Sequence, residues 1–297
     1  MASERRIRIW VGMGTWLLAG AGGLAHAGEA QAVPQQAGAV AQVNDAGLQQ
    51  LAQAPAHDHG AHARSQGGEG GEGGEGGEAG ALAGADPDQA FVAQLLLIQG
   101  HLMVGKELYE LNRGDDALPH YMHPLEEIYE DLEPALTQRR ISGFEQDLKA
   151  LADAVKAKRP AGEVAKLQER VAAKLDMAMN AVPAETRAKA SFAAGTAALV
   201  LKVAAEEYEG AIENGRIVNA VEYQDSRGFV TVSRALVQQH EKAMRAKDKE
   251  AYDAVIKAID ELANAYPSVV PPEKPRVTAG AFQAAASRVE LQVGNFK

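Results

Sequence analysis

Asp86-Pro87-Asp88-Gln89-Ala90-Phe91-Val92-Ala93-Gln94-Leu95-Leu96-Leu97-Ile98-Gln99-Gly100-His101-Leu102-Met103-Val104 decides the fold. An Asp ahead of a Pro is a strong helix start. The carboxylate can take the free amides of the first turn, and the missing Pro N–H would have had no partner there anyway. Ala90, Leu97, Ile98, Val104 and Leu108 then fall on one face at helical spacing. From this point on the chain is rich in Ala, Leu, Glu and Lys with the same period. Helices are expected over about 87–112, 117–138, 143–158, 161–181, 184–213, 217–246, 248–265 and 279–292. Breaks are expected at Gly114, Gly143, Pro160, Pro183, Gly215 and the Pro271-Pro272 pair. Strand signals are sparse and aromatics make up 5% of the chain. The expected class is all-α, a bundle of about six to eight helices over residues 86–297.

Upstream of Asp86 the composition changes. Residues 28–85 are rich in Ala, Gly, Gln and Glu, with a Gly-Gly-Glu repeat running to Gly76-Gly77-Glu78. Such a repeat has little apolar surface to bury, so the segment reads as a disordered tether. Its His57, Asp58, His59 and His62 could collect divalent cations weakly, or be incidental spacer composition. At the N-terminus, Arg5, Arg6 and Arg8 precede an apolar stretch from Ile9 to Leu24 and then Ala25-His26-Ala27. This is the pattern of a secretory signal cleaved after Ala27, and the reading is an exported, periplasmic protein. An uncleaved anchor is the rival. No later segment has the length and apolarity of a membrane span, so no transmembrane segment is expected in the mature chain.

Charge and cysteine usage exclude several classes. The formal charge is −10. Removing residues 1–27 leaves 27 basic against 39 acidic residues, a balance near −12. Nucleic acid is not an expected partner, because it calls for a basic face. There is no cysteine. That rules out a disulfide framework and every thiolate metal site, so any metal must be held by His, carboxylate, Tyr, Met or backbone oxygen. Phosphate-binding glycine loops, nucleophile elbows and the H-E-x-x-H motif are missing. The Glu-x-x-His pair of ferritin-like di-iron bundles is missing too: Ile98, Ala117, His120 and Val237 stand three residues before His101, His120, His123 and His240. An enzyme is not expected.

Helical angles point to polar groups facing the core, where an unpartnered charge is costly. His101 shares the apolar stripe of the first helix; a core histidine bonded to a carbonyl, a carboxylate or Gln94 is the structural alternative. Glu206 lies on the face of Phe192, Leu199 and Val203. Glu222 shares a face with Val218, Phe229 and Leu236, with Asp225 along the same side; Arg216 or Arg227 could pair with them instead. In Pro119-His120-Tyr121-Met122-His123-Pro124-Leu125-Glu126-Glu127, a regular helix would set His120, His123 and Glu127 opposite Leu118, Leu125 and Ile128, as a solvated face. The two prolines make these turns irregular, so His123 could turn back over the bundle. Gly114 to Gln138 holds seven acidic residues and no Lys or Arg, a setting that favours a cation. The candidate metal ligands are therefore His101, His120, His123, Glu127, Glu206, Glu222 and Asp225. Met103, Met122, Met177 and Met179 invite copper, although Met at helical spacing usually fills a core.

Residues 205–229 read A-E-E-Y-E-G-A-I-E-N-G-R-I-V-N-A-V-E-Y-Q-D-S-R-G-F. This resembles a segment in the periplasmic domain of bacterial oxidase-dependent iron permeases, through Glu207, Tyr208, Gly210, Ala211, Ile212, Gly215, Ile217, Asn219, Glu222, Tyr223, Asp225 and Phe229. The resemblance implies a helical periplasmic module on an iron-uptake route, with Glu222 and Asp225 as the functional positions. It departs from the permease proper, which has several membrane helices with Arg-Glu-x-x-Glu motifs; the nearest string here is Glu169-Arg170-Val171. The expected function is capture or delivery of iron, with a membrane permease or periplasmic redox protein as partner. A copper- or zinc-handling protein and a metal-free helical interaction module are the alternatives.

Overall fold

The structure is a computed structural model that describes Glu78 and residues 80–297. The expected signal sequence and the tether up to Gly77 lie outside the described residues. The described chain is all-α apart from one two-stranded hairpin. No helix among the described residues is long and apolar enough to cross a membrane.

Helix α1 (Pro87–Glu110) starts as expected: Asp86 Oδ1 accepts from the amides of Asp88 and Gln89 at 3.1 Å each. It stops at Asn112, which takes the left-handed conformation (φ 59°), while the Arg113 amide donates back to the Leu108 carbonyl. Arg140 and Lys158 end their helices in the same way. The breaks expected at Gly114 and Gly143 therefore fall a few residues early, because non-glycine residues occupy the left-handed cap.

The next segment is one rod in three pieces: α2 (Gly114–His123), a π turn (Pro124–Ile128) and α3 (Tyr129–Gln138). Pro124 has no amide to donate, and the wider turn absorbs the missing bond. Ala117, His120, Tyr121, Pro124 and Ile128 form the buried stripe, with Leu118 and Leu125 at its margins. This corrects the regular-helix expectation, which put His120 on the solvent side. Helices α4 (Glu145–Lys156) and α5 (Ala161–Met179) complete a ring with α1 and α2. Gln168 on α5 ties the ring together by accepting from Tyr121 Oη at 3.0 Å and donating to the Leu102 carbonyl at 2.7 Å.

The C-terminal half is a second four-helix arrangement. A short α6 (Ala184–Arg187) leads into α7 (Ala190–Gly210), so the helix expected over 184–213 is interrupted near residue 188 and ends early. Ile212–Glu213 and Arg216–Ile217 then pair as an antiparallel hairpin around Asn214 and Gly215, both at positive φ. An Asn-Gly turn of this kind suits the twist of a tight hairpin. Asn219 caps α8 (Ala220–Gln239) by accepting from the Val221 and Glu222 amides. After α9 (Glu241–Lys247), α10 (Lys249–Ala263) and α11 (Ala279–Gln292) close the bundle with α7 and α8. Tyr208, Tyr223, Tyr266 and Phe282 fill its centre, with Tyr208 stacked on Phe282 at 4.1 Å.

The two halves meet where α1 packs on α7 and α8. At the crossing, backbone faces backbone: a Cβ on Gly228 would lie 2.6 Å from the Gly100 carbonyl oxygen, and one on Gly100 would lie 2.7 Å from the Phe229 ring. Gly228→Ala must push α1 and α8 apart. The expected cost is about 1–3 kcal/mol, several degrees in Tm, measured by thermal denaturation. Gly162→Ala, where nothing lies within 4 Å, should leave Tm equal or slightly raised.

Candidate metal centre

Directly beside this crossing, α8 buries three polar residues in a row: Gln224, Asp225 and Ser226. Asp225 is fully buried, and three histidines surround its carboxylate. His101 Nδ1 from α1 lies 2.7 Å from Oδ1, and His120 Nδ1 from α2 lies 2.6 Å from the same oxygen. His123 Nδ1 lies 3.1 Å from Oδ2 and 3.8 Å from a carboxylate oxygen of Glu127 in the π turn. Ligand-capable atoms of His101, His120 and Asp225 all lie within 4.8 Å of one another, as do those of His101, His123 and Glu127.

The outward ring nitrogens are held as well. His101 Nε2 is 3.1 Å from Glu78 Oε2. His120 Nε2 is 2.9 Å from Gln224 Oε1, and Gln224 Nε2 in turn donates to the Val269 carbonyl at 3.0 Å. That last bond fixes which way the amide faces. The inward Nδ1 of each ring faces an oxygen of Asp225. An outer acceptor that keeps the proton on Nε2 would leave Nδ1 free for a cation taking up that inward place, which is how protein sites orient metal-binding histidines.

The field follows from the placement. Burial works against charge on His101, but Asp225 and Glu78 outweigh it and raise its pKa well above the ordinary value. Burial likewise opposes ionisation of Asp225, yet His101 and His120 hold it well below the usual carboxylate range. For His123 burial is again overcome, mainly by Asp225, and its pKa is raised. Glu127 is raised, first by burial. Glu207, projecting from α7, is pushed up to about 9 by burial and by the facing charges of Glu78, Asp225 and Glu222.

The structure thus brings together His101, His120, His123, Glu127 and Asp225. Glu222 stands at the margin, half-buried, near enough for Asp225 and His123 to act on its pKa; its carboxylate lies against Gly210. Arg227, offered as a structural partner for these acids, pairs instead with Glu107 at 2.7 Å. Glu206 is a correction: it is exposed beside Lys202 and Glu209, and its neighbour Glu207 faces the centre. The helix phase explains this, since Glu207 follows Val200 and Val203 at seven and four residues, and both are buried. Glu78 and Gln224 are further members that sequence reasoning missed. Gln224 adjoins Asp225 in the resemblance segment, whereas Glu78 ends a low-complexity repeat and carries no local signal. Met122, a candidate copper ligand, packs against the apolar core.

Residues 183–295 match the family model of the iron permease-associated 4-helix bundle domain. The matched segment runs from α6 through α11, and so contains the whole C-terminal four-helix arrangement. It includes the resemblance segment and contributes Asp225, Glu207, Glu222 and Gln224. All three histidines, Glu127 and Glu78 precede it. No curated protein and no solved structure matches the chain.

Glu207 gives a test by pH. Its folded pKa lies above the ordinary 4.5, so the folded state holds its proton longer than the unfolded chain. Stability is therefore lost as pH rises from 4.5 towards about 9, and the loss is complete above that. Glu207→Gln should remove this loss in metal-free protein. The expected gain is several kcal/mol, up to about 5 kcal/mol, at around pH 8, falling to nothing near pH 4, read from denaturant unfolding at each pH.

Proposed function

We propose that this protein binds a metal ion, iron in the first instance, at the junction of its two helical halves, and that it does so in the periplasm on an iron-uptake route served by a membrane permease. The observation that carries the reading is the convergence of three imidazole Nδ1 atoms on one buried carboxylate, two of the rings being held from outside by oxygen acceptors. Burying so many ionisable groups without a shared cation is costly. A divalent ion among them offsets that cost and uses every inward nitrogen.

The donor set supports iron. It offers three imidazoles, Asp225 and Glu127, and no thiolate, since the chain has no cysteine. Zinc in protein sites mostly takes four ligands, whereas more than four nitrogen and oxygen donors suit iron or manganese. Cu(I) prefers thioether, and Met122 lies in apolar packing instead. The iron permease-associated family of residues 183–295 favours the same metal. Export is supported by the basic, apolar and Ala-His-Ala pattern at the N-terminus.

The test is metal titration of the mature chain, purified without an affinity tag of histidines, with iron, copper and zinc in competition and elemental analysis after gel filtration. Stoichiometric iron is expected. Asp225→Asn and His101→Ala should lower its affinity at least 10-fold, the scale seen when groups in or around metal sites are removed, while exposed Glu206→Gln should leave it unchanged. Absence of any metal above background would leave a metal-free ion network and overturn the proposal. Copper binding that is lost in Met122→Leu would move the assignment to copper.

A further inference from the structure

The carboxylate of Asp225 is shared unevenly. Its Oδ1 faces His101 and His120, and its Oδ2 faces His123, which also approaches Glu127. Ligand-capable atoms form two clusters, His101 with His120 and Asp225, and His101 with His123 and Glu127, which share His101; His123 of the second is the residue that reaches Asp225 Oδ2. A carboxylate whose two oxygens address different histidines has the geometry of a bridging ligand. Such bridges hold paired ions about 3.5–4 Å apart.

The surrounding acids point the same way. Glu78 Oε1 and Glu222 Oε2 are buried and have no hydrogen-bond partner among the described residues. The charged groups facing Glu207 are Glu78, Asp225, His101 and Glu222, of which only the histidine is a cation. An ion held by His101, His120 and Asp225 alone leaves Glu127 and the two orphan oxygens of Glu78 and Glu222 without a partner from that ion.

We propose that the centre holds two metal ions bridged by Asp225: an inner ion beside Oδ1 with His101 and His120, and an outer ion beside Oδ2 with His123 and Glu127. The inference rests on the metal-binding reading above and extends it. The two positions differ in access. The side chains of His101, His120 and Asp225 are fully buried, whereas those of His123 and Glu127 are 20% and 35% exposed. The inner ion is therefore the retained one, and the outer ion is the one that exchanges with solvent or a partner.

The test counts ions on the full mature chain carrying His57→Ala, His59→Ala and His62→Ala, which removes the histidine cluster of the N-terminal segment from the count. Fe(II) without oxygen and Mn(II) are titrated in parallel and measured by elemental analysis. Two ions per chain are expected, falling to one when His123→Ala and Glu127→Gln are combined. Bound Mn(II) should also show an exchange-coupled paramagnetic resonance spectrum in the parent chain and the six-line pattern of an isolated ion in the double variant. That magnetic readout on the parent chain decides the matter even where the double variant folds poorly. One ion in the parent chain, without coupling, overturns the pair and leaves the single-metal reading intact. Two uncoupled ions that survive the double variant also overturn it, because the second ion then sits elsewhere. No bound ion of either kind overturns both readings.

Discussion

The contact on which the molecule depends is the one between the backbones of Gly100 and Gly228. Helices with ordinary side chains at their crossing stand 8–10 Å apart; here the first side-chain carbon on Gly228 would already collide with a carbonyl. That closeness brings His101, one residue beyond Gly100, within 2.7 Å of Asp225, one turn before Gly228. It also sets the two helical halves against each other, because α1 belongs to the N-terminal ring and α8 to the C-terminal bundle. Nearly every side of α1 is buried, as a helix shared between two cores requires. Packing and electrostatics are thus the same decision: the surface that joins the halves is the surface that gathers the histidines around Asp225.

Asp225 organises that surface electrically. An isolated carboxylate in such a place would take up a proton. It stays ionised because imidazoles from two other helices donate charge or hydrogen bonds to it, and their outer nitrogens rest on Glu78 and Gln224. Each partner is positioned by something nearby. The π turn that begins at Pro124 sets Glu127 beside His123. The Val269 carbonyl orients Gln224, and Asn219 starts α8 so that Asp225 faces inward two turns later. The acids beyond this set are the part of the design that ordinary packing does not explain.

The class of fold and most helix boundaries are legible in the sequence, since capping by Asp86 and the period of apolar residues are local facts. His101 and Asp225 are legible too, because each lies among apolar neighbours at helical spacing. Glu206 and Glu207 differ by a single position, and the sequence does not say which faces inward: α7 is buried on several sides, so its apolar stripe is too wide to fix a phase to within 100 degrees. His120 lies in the regular part of its helix, on the stripe of Ala117, Tyr121 and Pro124, whereas a reading led by the larger Leu118 and Leu125, which sit only at the margins, turns the helix to the wrong phase. Glu78 was out of reach altogether. Its partner is 23 residues away, and nothing in a glycine-rich repeat says which copy of its Glu meets a histidine. The likeness to the permease-associated family reaches the acids on α7 and α8 and stops short of every histidine.

The sequence distances across the centre carry one more consequence. His101 and His120 lie 124 and 105 residues from Asp225. An ion coordinated by all three would close loops as long as many disulfides close, in a chain that has no cysteine with which to make one. In the chain-entropy account, fastening a loop of that length removes about 4–5 kcal/mol of freedom from the unfolded state. An ion held there would then act as a removable staple, and its loss would loosen the seam between the halves. The protein's rigidity would then report whether that position is filled.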